Sequence, residues 1–149
     1  MRKCYAGVTR WRPANPIIMA TWRDVRRIAL ALPGASEGQT YGDNASWSVN
    51  KKLFVWERPL SRTDVAALGD DAPTGPILGV RTADLEMKEA LLRSNPRAYF
   101  TTPHFDGYPA VLVRLGKISV KELKAVIEEA WLCHAGKHAA TYLNAGKGG

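Results

Sequence analysis

Two short β-forming runs, Ser46–Val49 and Lys52–Trp56, are separated by nothing more than Asn50-Lys51. A two-residue connection cannot carry a crossover, so the two strands must pair antiparallel as a hairpin. Asn suits such a turn, although the Gly that usually follows it is absent. Once a hairpin is fixed mid-chain, the other strand-like runs have a sheet to join. Ile77–Arg81 and Ala110–Leu115 are the firmest of these, and Gln39–Tyr41 and Tyr99–Thr101 are shorter.

Three segments carry helical spacing. Thr21 and Asp24 resemble a capping box ahead of Trp22, Val25, Ile28, Ala29 and Leu32, with Arg23, Asp24, Arg26 and Arg27 on much of the other side. Pro33-Gly34 ends that helix. Thr82 is placed to cap a helix from Ala83 to about Ser94, with Asp84 and Glu86 near its positive end and Asn95-Pro96 as its stop. Ser119 and Glu122 form a capping box before a helix whose apolar face is Val120, Leu123, Ile127, Ala130 and Trp131, broken or ended at Gly136. Pro59–Pro76, with several Asp, Ala, Gly and Pro residues, reads as a loop. Tight turns between consecutive strands predict an α+β domain, an antiparallel sheet with helices packed on one face.

At 149 residues the chain fits one domain, burying roughly 70% of its extended surface. Two lone cysteines make no disulfide framework or zinc ribbon, which fits a reducing compartment. No apolar run nears the roughly 20 residues that cross a bilayer. The expected location is the cytoplasm, with no membrane partner. Residues 1–18 lack periodicity, and Met19 stands just before the first cap. The expectation is a start at Met19, with 1–18 a disordered or misassigned extension, the alternative being a basic arm. Residues 19–143 then make the domain and 144–149 a frayed tail.

The net charge of +7 invites a nucleic-acid reading, but its distribution weakens it. Residues 1–18 hold Arg2, Lys3, Arg10 and Arg12 and no acid, while the rest carries 17 Lys and Arg against 14 Asp and Glu.

The stretches Arg81–Leu85 and Tyr99–Val113, with Trp47-Ser48-Val49, Lys52–Val55 and Ala130-Trp131, resemble the MmcQ/YjbR family from about Met19 to Tyr142. The resemblance implies a compact CyaY-like α+β fold and DNA binding through a "double wing" of β elements. A fold does not fix a function. The resemblance carries no catalytic residue set and no cofactor to place here.

The candidate phosphate contacts are Lys51 and Lys52 at the hairpin tip, Arg58 after a strand, Arg81 and Arg97 at element ends, and Arg23 and Arg27 on the first helix. For each, a solvated surface position is the plain alternative. Trp47 and Val49 alternate onto one strand face, and Phe54 and Trp56 share another orientation. The turn His104–Tyr108 could offer His104, Asp106 and Tyr108 as a ligand or contact loop, although Asp106-Gly107 is ordinary turn chemistry. His134 and His138 stand four apart, but no third ligand completes a metal set and Gly136 lies between them. Nucleophile elbows, phosphate loops and dinucleotide fingerprints are missing. The resulting expectation is a non-enzymatic DNA-binding protein that contacts mainly the phosphate backbone, without metal or cofactor. Its rivals are a protein- or small-molecule-binding module using the aromatic-rich sheet, and an enzyme or metal protein built on His104 and Asp106.

Overall fold

The computed structural model describes residues 19–140, so the expectations for 1–18 and 144–149 lie outside the described residues. Six strands form one antiparallel sheet: β1 (Ala35–Gln39), β2 (Ala45–Val49), β3 (Lys52–Glu57), β4 (Ile77–Arg81), β5 (Tyr99–Phe100) and β6 (Ala110–Arg114). Their spatial order is β1-β2-β3-β4-β6-β5. Helices α1 (Trp22–Leu30), α3 (Leu85–Ser94) and α4 (Val120–Leu132) pack over one face, the α+β arrangement the pattern predicts.

The capping chemistry sets where α1 and α4 begin. The Thr21 N–H donates to Asp24 Oδ2 at 2.9 Å, and the Asp24 N–H donates back to Thr21 Oγ1 at 3.4 Å. Val25, Ile28, Ala29 and Leu32 then face the main core. On α4, Ser119 Oγ accepts from the Glu122 N–H at 3.2 Å. Leu123, Ile127, Ala130 and Trp131 are fully buried against the sheet, each larger apolar side chain contributing about 1.5–3 kcal/mol. The Trp131 indole N–H donates to the Pro33 carbonyl at 3.0 Å, which ties α4 to the end of α1.

Four local expectations are corrected. Residues 59–76 are not all loop: Ser61 and Asp64 form a reciprocal capping box that starts a helix, α2 (Arg62–Leu68). Leu60 and Leu68, with the turn at Pro103–Phe105, cover a second cluster of Trp56, Ile77, Phe100, Phe105, Ala110 and Leu112 on the opposite sheet face. The first strand runs from Ala35 to Gln39 rather than 39–41, because the chain bends into a 3-10 turn at Tyr41–Asp43. Its residues are mostly exposed at the sheet edge, so no apolar alternation marks it.

The cap of α3 is Asp84, whose carboxylate accepts from the Met87 N–H at 2.8 Å. Thr82 is buried, and its hydroxyl donates to the Asp84 carbonyl. Finally, Phe54 and Trp56 do not share a face. Ser48 pairs with Leu53 and Trp47 with Val55, so Phe54 is an extra residue, a bulge that reverses the alternation. Phe54 and Val55 both enter the main core, and Trp56 turns to the second cluster.

Trp56 lies flat on β4 over Gly79, its cross-strand partner. A Cβ at Gly79 would overlap the indole. Gly79→Ala should therefore lose about 1–3 kcal/mol through overpacking. Urea denaturation measures this, and an unchanged midpoint would refute the packing argument.

Candidate functional site

Three chain segments meet at one end of the sheet. Arg81 closes β4 opposite Ala110, where β6 begins, and Lys52 opens β3, which runs antiparallel to β4. The hairpin tip between β2 and β3 holds Asn50 at φ 52° and Lys51 at φ 64°, both left-handed. A two-residue turn that matches strand twist requires this at both central positions. For Lys51, which is not Gly, that conformation costs about 1–2 kcal/mol. The Asn50 side-chain amide donates to the carbonyls of His134 at 2.7 Å and Ala135 at 3.1 Å, fastening the tip to the end of α4. Lys51 and Lys52 both stay exposed.

Arg81 is half-buried, with Nη1 donating to the Tyr108 hydroxyl at 3.1 Å and the guanidinium 5.2 Å above that ring. Among the described residues it has no carboxylate within ion-pair distance. Burial, then the charges of Arg81 and Lys52, holds the His134 imidazole below its ordinary value. The two cations thus act on one ring from two strands.

Tyr108 reaches Arg81 because a lysine fixes its loop. Lys88 is 6% exposed, and its ammonium donates to the carbonyls of Phe105 and Tyr108. Burial pushes that ammonium below the usual lysine range, against the opposing charges of Asp106 and Glu89. His104 packs edge-on to Phe105, ring centres 5.0 Å apart, and Asp106 is exposed. Among the described residues no hydrogen bond joins His104 to Asp106, and no three His, Cys, Asp or Glu side chains gather as a metal-ligand set.

The other expected cations do not join this end. Arg58 Nη2 sits 3.0 Å from Asp64 Oδ2, the side chains 19% and 3% exposed, and the guanidinium lies 5.3 Å above the Phe105 ring. It belongs to the second core cluster. Arg97 precedes β5 at the opposite end of the sheet, its carbonyl accepting from Arg114. Arg23 and Arg27 stand exposed on α1 in the helical layer, and Arg27 pairs with Asp24 at 3.3 Å. Lys51, Lys52 and Arg81 are therefore the subset brought together. Sequence reasoning missed Lys88, although it lies three and four positions before Leu91 and Leu92, on an otherwise apolar helix side.

The family sequence model named YjbR matches residues 30–133. The chain belongs to the YjbR family. Among relatives, uncharacterized protein Rv2570 of Mycobacterium tuberculosis and uncharacterized protein Mb2600 of Mycobacterium bovis are each 51% identical over 122 residues. That alignment covers 80% of this chain and 92% of theirs. A crystal structure of Deinococcus radiodurans protein DR2400, with a DUF419 domain, superposes with TM-score 0.57 at 19% identity, over 76% of this chain and 78% of that one. This last likeness concerns the fold, and it agrees with a YjbR-type α+β domain. No helix among the described residues is long and apolar enough to cross a membrane.

Asp64 supplies a titration test. Burial alone would raise its pKa, but the Ser61 backbone and hydroxyl bonds and the Arg58 guanidinium outweigh that and hold it below the ordinary 3.8. Its stabilisation is present above that pH and is lost as pH falls through the folded value. Asp64→Asn should cost about 3 kcal/mol at neutral pH by stranding Arg58. The gap to the parent chain should narrow below pH 3.8. Denaturation curves between pH 7 and 2 decide it, and a pH-independent gap would remove the charge from the account.

Proposed function

We propose that this YjbR protein is a non-enzymatic DNA-binding protein that grips the phosphate backbone with the hairpin end of its sheet. One observation carries the reading. Lys51 and Lys52 stand exposed on a tip anchored by Asn50, beside an Arg81 that has no carboxylate partner among the described residues. A rigid tip positions cations against phosphates at low entropic cost, and such contacts orient a protein without reading bases. Lys51 supports this further. Gly would relieve the left-handed backbone, so the cation stands there at a local cost in stability. Among the other expected cations, Arg58 and Arg27 are held by acids and contribute little.

With three phosphates neutralised, log affinity for duplex DNA should fall with log salt at a slope of about −3. Fluorescence anisotropy with a labelled duplex from 50 to 200 mM salt reads it. Lys51→Gly should raise stability by up to about 1 kcal/mol while weakening binding severalfold and flattening the slope by about one. Binding that ignores salt, or a Lys51→Gly chain that binds as the parent does, would defeat the proposal.

A further inference from the structure

A cavity of about 180 Å³ opens between α3 and α4, beside the end of β4. Its walls are mainly apolar, with Met87 and Leu91 from α3 facing Ala125 and Val126 from α4. Polar groups stand only at its ends. At the inner end the Tyr99 phenol bonds Glu122, which also accepts from the Asn95 amide at 3.3 Å. Burial, with that bond and the Glu122 charge behind it, keeps the phenol protonated far above its ordinary range. This end is closed chemistry, each group answered by another.

The outer end is not. Arg81 borders it, and Tyr108 takes only Nη1. The Arg81 Nε–H is buried and has no acceptor among the described residues. Nε and Nη2 form the guanidinium edge that a carboxylate meets through two parallel hydrogen bonds. A buried donor without a partner costs about 1–3 kcal/mol, so a turn of the half-buried Arg81 side chain that brings Nε to a ligand oxygen in the cavity relieves a standing penalty. Glu129 on the same rim and Glu122 at the inner end repel further negative charge. Together these features select one anionic group on an apolar body.

We infer that the α3–α4 cavity is a binding site for a small apolar monocarboxylate, its carboxylate on the Nε edge of Arg81 and its hydrocarbon between Leu91 and Val126. This goes beyond the phosphate-backbone reading and does not depend on it. The hairpin lysines take no part.

The test uses octanoate, 1-octanol and the dianion octanedioate as probes, titrated by calorimetry and by thermal shift into the full chain. Octanoate should bind roughly ten- to hundredfold more tightly than 1-octanol, the contribution of a charge-assisted hydrogen bond. Octanedioate should bind more weakly than octanoate. Arg81→Gln should erase the preference for the acid over the alcohol. Ala125→Trp fills the cavity from an exposed helix position and should abolish binding of both, with helicity by circular dichroism confirming the fold. Lys51→Gly should leave octanoate binding unchanged, whatever it does to DNA binding. Equal affinity for octanoate and 1-octanol, undiminished octanoate binding in Ala125→Trp, or no octanoate binding to the parent chain would each overturn the inference.

Discussion

One extra residue in β3 governs how the rest of the molecule is arranged. Phe54, inserted opposite the step from Ser48 to Trp47, sends two successive side chains into the main core and turns Trp56 over to the other face. β3 lies inside the sheet, flanked by β2 and β4, so the reversal gives both faces an aromatic centre that water must be kept from. The second face cannot remain bare. That need explains why α2 and the turn at Pro103–Phe105 exist where the chain composition suggests only a loop. It also explains Arg58, whose guanidinium lies over Phe105 and against Asp64, holding the lid to the sheet.

The parts of the fold legible in sequence are those set by local physics. The Thr21/Asp24 box, the Ser119 cap, the apolar stripes behind them, and the dense runs of β4 and β6 form where their spacing says, although the Glu122 carboxylate turns to Asn95 and Tyr99 and leaves the second box half-made. Ser61 and Asp64 carried the same signal and were obscured by the surrounding Gly, Pro and Asp. The bulge was invisible because period-two alternation assumes no inserted residue. The exposed edge strand β1 was misplaced because it buries almost nothing.

The site divides in the same manner. That Lys51 and Lys52 stand exposed follows from a two-residue turn. Their meeting with Arg81 and His134 depends on the strand register and on a hydrogen bond spanning 84 positions, which no local window contains. The same long-range ordering relocated Arg58 from the surface to a core-edge ion pair. It also placed Tyr108 against Arg81 through Lys88, so the expected contact loop acts as a brace for a strand-end guanidinium.

The clasp between Trp131 and Pro33 joins residues 98 apart. At the other end of the same two helices, Met19 bridges to Ser119 and the Ala20 N–H bonds the Ile118 carbonyl. During synthesis α1 therefore leaves the ribosome long before anything can cover its apolar side, and the main core stays open until α4 has emerged. Until then Val25, Ile28 and Leu32 lack the α4 side chains that cover them in the native core.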